Sequence, residues 1–328
     1  MAVAAGALRF NSDSLKMELY DGNQWVEVVA SSPDLQTGGA RGLFGGGYSP
    51  SPLLNLNSID YVTISTTGNS ISFGILTSSR YGLAAYSSST RGVFGGGSGD
   101  VTTIDYVTFS STSNAQSFGS LTVGRRYGSA CASSTRGVWG GGGYAPSSQS
   151  SVIDYITIAS TGNAVSFGNL SAAKSGTGAC ASSTRGIWGG GYVVPAAVVN
   201  VIEYVTIATT GNTATFGTLT TSKDTVSSCS SSTRGLFAGG KTPANVNTIE
   251  FVTISTLGNA TYFGDLTAAK NWVSGCSSST RGLFGGSGSY TSVIDYVTIS
   301  STGNAINFGL LQSNRGLGSA CSNGHGGL

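Results

Sequence analysis

Charge is scarce in this chain. Among its 328 residues only 9% are Asp, Glu, Lys or Arg, against about 25% in an ordinary soluble domain. Disordered chains carry more charge and fewer apolar residues than the 39% found here, so that class is excluded. The net charge of +2 lacks the basic excess of a nucleic-acid binder. A single His leaves too few ligands for zinc or two-metal hydrolysis, and six Pro are too few for a collagen-like helix. No window reaches the roughly 18–20 consecutive apolar residues of a membrane span. Met1 to Gly6 is too short for a signal-peptide core and has no Lys or Arg before it. What the chain has in abundance is Gly, 51 residues of it, with much Ser and Thr. That composition suits a large all-β chain rich in turns.

The sequence repeats. Arg-Gly followed by an aliphatic and an aromatic residue begins at Arg41, Arg91, Arg136, Arg185, Arg234 and Arg281, at intervals of 50, 45, 49, 49 and 47 residues. A second block, Ile-acid-aromatic, starts at Ile59, Ile104, Ile153, Ile202, Ile249 and Ile294. A third, Phe before Gly, falls at Phe73, Phe118, Phe167, Phe216, Phe263 and Phe308. All three recur six times in the same order, so the chain holds six units.

Each unit has four strand signals. The third, Ile59-Asp60-Tyr61-Val62-Thr63-Ile64 in unit one, is apolar on both faces and must be covered on both sides. The fourth runs through Ser70 to Leu76 after a Thr67-Gly68-Asn69 hairpin turn. The second runs from Arg41 into Gly45-Gly46-Gly47, and the first is a small-residue stretch such as Ser129-Ala130-Cys131-Ala132. Four short strands per unit of 45–50 residues predict a six-bladed β-propeller. Unit one lacks a first strand. Its counterpart stands at the other end, at Leu317-Gly318-Ser319-Ala320-Cys321-Ser322, so the C-terminal strand is expected to close the ring and leave no open edge.

The order of small-residue strand, Arg-Gly-aliphatic-aromatic-Gly-Gly, and then a Tyr-bearing strand resembles a kelch-type blade. Phe44-Gly45-Gly46-Gly47, Ile59 to Ile64 and Ala320 to Leu328 resemble Gly-rich kelch-like repeats of bacteriophage virion proteins, those of cyanophages above all. The resemblance covers about residues 41–328. It departs from cellular kelch repeats in having Phe-Gly where their fourth strand carries Trp. It implies a tail or tail-fibre structural protein, assembled in the host cytoplasm and located in the virion. No enzymatic activity and no cofactor are expected, because the residues offer no unique catalytic constellation.

Residues 1–40 do not repeat. Leu15, Met17 and Leu19 alternate with Lys16 and Glu18 as in a half-buried strand, and Asp21-Gly22-Asn23 forms a turn before Trp25-Val26-Glu27-Val28. Phe10, Leu19, Tyr20 and Trp25 resemble a short tail-fibre module, which implies docking to other virion proteins or oligomerisation, a trimer by analogy with fibres. The alternative is a hairpin folded onto its own propeller.

The chemistry-bearing residues follow the repeat. Cys131, Cys180, Cys229, Cys276 and Cys321 occupy one position per unit, with Tyr86 in the remaining one. They read as buried free thiols rather than disulfides or metal ligands. The acids Asp60, Asp105, Asp154, Glu203, Glu250 and Asp295 are expected to answer the six repeat Arg or to accept from backbone N–H groups. A charge repeated six times reads as structural, because a catalytic group is placed once against a unique geometry. His325 has no acid nearby in sequence to orient it for a catalytic triad. The triple-Gly runs lack the Lys-Ser or Lys-Thr of a phosphate loop.

Binding is expected on one face. Loops after the second strands vary in length and carry Tyr48, Tyr144, Tyr192 and Tyr290 among Pro, Ser and Gly, as in adaptable recognition loops. Arg80, Arg125, Lys174, Lys223, Lys270 and Arg315 follow the fourth strands and are expected on the same face. Together they suggest contact with a neighbouring virion subunit or an anionic host surface polysaccharide. The competing reading is a cellular glycan-binding propeller lectin. Neither nucleic acid nor a membrane is an expected partner.

Overall fold

The computed structural model describes residues 3–11, 16–27, 40–143, 149–195 and 197–328. Every regular element among them is a β-strand. Leu8–Asn11, Lys16–Tyr20 and Trp25–Glu27 form a three-stranded antiparallel sheet. The repeats form six four-stranded antiparallel sheets, numbered here by their second strands from Arg41 to Arg281. Sheet two, for example, runs Ala84–Ser87, Arg91–Gly95, Thr103–Thr108, Gln116–Ser120, from inner to outer strand. Sheet one takes Ser319–Ser322 from the far end of the chain as its inner strand, beside Arg41–Gly45, with Cys321 opposite Leu43 and Ala320 opposite Phe44. The arrangement is propeller-like.

The third strands explain the layering. In Ser58–Thr63 both Ile59 and Asp60 are buried although they point to opposite faces, because each sheet is covered by a neighbour on either side. The core accordingly divides into six clusters, each drawing residues from two adjacent sheets. One joins Phe44, Val62 and Ile64 of sheet one to Leu283, Ile294 and Phe308 of sheet six.

Small residues set how closely the sheets approach. The Gly after each repeat Arg faces the thiol-position residue of the preceding sheet. A Cβ on Gly186 would lie 2.7 Å from Cys131 Sγ, one on Gly235 2.7 Å from Cys180 Sγ, and one on Gly42 2.8 Å from Cys276 Sγ. Cys321 stands in the same relation to Gly92, and the Tyr86 ring covers Gly137.

The Thr-Gly-Asn segment differs from expectation. It is not a tight hairpin turn but a bridge to the preceding sheet. Gly68 N–H donates to Phe308 O (2.9 Å) and Ser70 N–H to Leu310 O (2.8 Å), while Asn69 Oδ1 accepts from Leu310 N–H (3.0 Å). Asn114, Asn163, Asn212, Asn259 and Asn304 make the corresponding contact in the other sheets. Local sequence reads as a turn because Gly and Asn favour turns; here their backbone groups serve an adjacent edge strand instead.

Candidate binding face

The six basic residues after the fourth strands are not on a binding surface, and that expectation is corrected. Arg80, Arg125, Lys174, Lys223, Lys270 and Arg315 are all buried. Each reaches the third-strand acid of the next sheet. Arg80 pairs with Asp105 at 2.9 Å, Lys223 with Glu250 at 3.1 Å, Lys270 with Asp295 at 2.8 Å and Arg315 with Asp60 at 2.8 Å. Arg125 pairs with Asp154 and Lys174 with Glu203 in the same way. The physical reason is that a charge cannot be left unpaired between two apolar sheets, and the third-strand acid of the next sheet supplies the counter-charge. Hydroxyls complete the acids' shells: Thr77, Thr220 and Thr267 each donate to their acid at 2.7 Å. Burial lowers the affinity of Arg125, Lys223 and Arg315 for their protons, against the attraction of their partners. At Glu203 burial acts upward, but Lys174 and hydrogen bonds from Lys174, Thr213 and Ser171 outweigh it, leaving the carboxyl below its usual range.

The repeat Arg residues therefore do not take the acids. Arg91 instead donates to the carbonyls of Ile158 (2.9 Å) and Ala159 (2.8 Å) in the next sheet. Arg281 does the same with Ile64 and Ser65 of sheet one, at 3.1 and 2.8 Å. Each guanidinium lies over the third-strand aromatic of its own sheet, as Arg91 over Tyr106 at 4.8 Å. Every charge that recurs in the sequence is thus engaged in joining sheets.

The residues that do not recur gather at one mouth. Loops after the second strands fold into short hairpins: Tyr48–Pro50 with Leu53–Asn55, Tyr192–Val193 with Ala197–Val198, and Lys241–Thr242 with Ala244–Asn245. Tyr48, Tyr192 and Tyr290 lie at this end; Tyr144 falls outside the described residues. Tyr48 meets Tyr290 at 5.7 Å and Tyr81 at 5.8 Å between ring centroids. The chain of rings continues from Tyr81 to Tyr127 at 6.2 Å and from Tyr127 to Trp272 at 4.5 Å. Tyr81, Tyr127 and Trp272 were not singled out in the sequence. They follow the buried basics, and the signal was a broken repeat: Tyr127, Thr225, Trp272 and Leu317 stand where the other two units have Gly82 and Gly176.

These six positions all adopt left-handed backbone, with φ of 60° at Tyr127, 56° at Thr225, 51° at Trp272 and 60° at Leu317. Their backbones link in succession around the mouth: Gly82 N–H to Leu317 O, Tyr127 N–H to Gly82 O, Gly176 N–H to Tyr127 O, and Trp272 N–H to Thr225 O. Four side chains are held at a φ that favours glycine, a strain of the kind found at binding sites.

Over this rim opens a cavity of about 640 Å³, lined by Tyr127, Tyr192, Trp272 and Tyr290 with Gln149, Asp224 and Asn271 among the polar groups. Gln149 is held by Ser175 Oγ (3.0 Å) and Tyr192 O (3.3 Å). Asp224 Oδ1 is buried without a hydrogen-bond partner. Burial pushes its carboxyl above the usual range, against the attraction of Lys241.

The opposite end is filled. His325 Nε2 meets Ser87 O at 2.6 Å, and its Nδ1 accepts from Gly327 N–H at 3.0 Å. Gly326 N–H donates to Ser230 O at 3.0 Å. Burial lowers the His325 pKa, so the ring is a neutral structural plug. The five thiols are free and buried, and burial pushes Cys180 and Cys276 up to about 12. Among the described residues no group of three His, Cys, Asp or Glu is placed to hold a metal ion. No described helix is long and apolar enough to cross a membrane.

The structure divides the candidate docking residues. Phe10 and Leu19 share one face of the N-terminal sheet with Leu8, Met17 and Val26, since Leu8 opposes Leu19, Phe10 opposes Met17, and Leu19 opposes Val26. Tyr20 and Trp25 oppose one another on the other face, with rings 5.3 Å apart and Arg9 over Trp25 at 4.2 Å. Phe10 and Leu8 are about 60% exposed (59% and 61%). Comparison with protein-family models and with curated proteins finds no match.

Proposed function

We propose that the chain is a six-bladed kelch-like β-propeller, closed by its C-terminal strand, that serves as a non-enzymatic bacteriophage virion protein of the tail or tail fibre. Residues 1–40 would dock it to other virion proteins, and the aromatic loop face would touch a neighbouring subunit or a host surface polysaccharide. One observation carries this reading: the repeated charged residues are used up in joining sheets, while the irregular residues converge on a single mouth. That division suits a rigid frame that displays a contact surface. The buried acids are each paired with a cation, and several also accept from a hydroxyl, which argues against general acid–base work at any of them. The cyclic succession of contacts supports closure, because Cys276 meets Gly42 of sheet one and Arg315 meets Asp60. The aromatic mouth also favours a second reading, a cellular lectin.

Purified virions separate the two. The proposal expects the chain at fixed stoichiometry to the major tail proteins after density-gradient purification, and its absence from particles would leave the lectin. Changing Tyr48, Tyr192 and Tyr290 together to Ser should reduce host adsorption while particles still assemble with the protein in place; unchanged adsorption and incorporation would remove the loop face from the proposal.

A further inference from the structure

The loop face has a chemistry that narrows its ligand. Six cations on that face would suit an anionic polysaccharide. All six are buried in ion pairs, and among the described residues the only charged side chain lining the cavity is Asp224, with Arg126 outside the lining, 5.6 Å from the Tyr127 ring and beside Asp100. A uronate or sulfate entering there would meet a carboxylate with no lining cation to receive it; the nearby Lys241 is exposed and lies outside the lining.

What lines the cavity matches a different ligand class. Tyr127, Tyr192, Trp272 and Tyr290 are half-buried rings, flat apolar surfaces with electron-rich faces. The C–H face of a pyranose ring carries slight positive charge and stacks on such a surface. Around the rings stand groups suited to sugar hydroxyls, the carboxylate of Asp224, whose Oδ1 has no partner, and the amide of Asn271, while the Gln149 amide is taken by Ser175, Tyr192 and Val194. A buried acceptor left unmatched costs free energy until a donor reaches it, and a hydroxyl is such a donor. The volume of about 640 Å³ falls within the range of small-ligand pockets. The rim is also built at some expense, with Trp272 and Tyr127 held at φ of 51° and 60° where Gly would be easier. Structural closure alone does not require rings there, since Gly82 and Gly176 fill equivalent places.

We infer that this mouth is a binding site for a neutral glycan, with a pyranose ring stacked on Trp272 and its neighbouring tyrosines and its hydroxyls donated to Asp224. The inference rests on the reading that the loop face contacts a partner, and it specifies that partner's chemistry.

Trp272→Gly is the decisive variant. It places at position 272 the residue found at the equivalent positions 82 and 176, so the left-handed backbone is kept and the ring is lost. Asp224→Asn keeps the shape and changes the acceptor. The probes are maltohexaose, cellohexaose and N-acetylchitohexaose as neutral chains, with an oligogalacturonate as the anionic control, titrated calorimetrically into the full chain. The expected result is saturable binding of at least one neutral chain, weakened about tenfold in Trp272→Gly. Asp224→Asn should weaken it as well, with melting temperatures of both variants close to the parent's. No binding of any neutral chain, equal binding of oligogalacturonate, or unchanged affinity in a folded Trp272→Gly protein would overturn the inference. If these titrations fail while the triple Tyr variant still loses adsorption, only the ligand class is wrong; if adsorption is also unaffected, the contact role of the face falls with it.

Discussion

At the scale of single residues, the sheets are spaced by a fit between thiols and glycines. Cys131 faces Gly186 across roughly fifty residues of chain, so the Cys was legible as a buried small side chain but its partner was not. No local pattern couples two positions so far apart. Gly186→Ala should cost about 1–3 kcal/mol by overpacking, read from urea unfolding. Removing the sulfur with Cys131→Ala should recover part of that loss, because the two changes share one contact. Equal and additive costs would contradict the fit. The thiols also make a pH prediction. With Cys180 and Cys276 raised to about 12 by burial, the native protein should resist iodoacetamide at pH 8–9 and label only on unfolding. Above about pH 8.5 the unfolded chain loses thiol protons that the folded chain keeps. The unfolded state then binds fewer protons, and stability should fall as pH rises from there towards 12.

At the scale of elements, the buried ion pairs join the end of one sheet to the third strand of the next. The sequence placed the acids and basics in register, and it assigned them wrong partners. It pairs residues by position along strands, whereas Arg80 reaches Asp105 across an interface that only the stacking of sheets creates. Lys223→Met should destabilise by about 3–5 kcal/mol, because Glu250 is left buried without its cation. The double change with Glu250→Leu should cost much less, and chemical denaturation of both variants checks the difference. The plug at the far end titrates in the other direction from the thiols. His325 has a folded pKa below its ordinary value through burial. Between that value and about 6.5 the unfolded chain binds a proton that the folded chain refuses. Stability should therefore decline as pH is lowered from 7 towards 5, and His325→Gln should flatten that decline.

At the scale of the whole molecule, six repeats, all-β architecture and the joining of the two chain ends were legible because each leaves a periodic mark in the sequence. The mouth was legible only in part. The variable loops were visible as departures in length, so Tyr48, Tyr192 and Tyr290 could be picked out. Trp272 and Tyr127 escaped because they sit beside a regular repeat residue, and their significance lies in the left-handed backbone they share with Gly82 and Gly176. The proposed ring would keep such a mouth in one shape, and its closure would rest on the strand Ser319–Ser322, which pairs with Arg41–Gly45. Cys321 lies directly opposite Leu43 in that pairing, within the Cα separation that a disulfide accepts. The most direct test is therefore refolding of the reduced, unfolded Leu43→Cys protein under oxidising conditions at low concentration, so that Cys321 can react before it is buried. Closure predicts an intramolecular disulfide between the thiol introduced at position 43 and Cys321, identified by peptide mapping, with a chain that runs faster on a denaturing non-reducing gel. A protein that stays unlinked, or that links only between molecules, would contradict the closed ring.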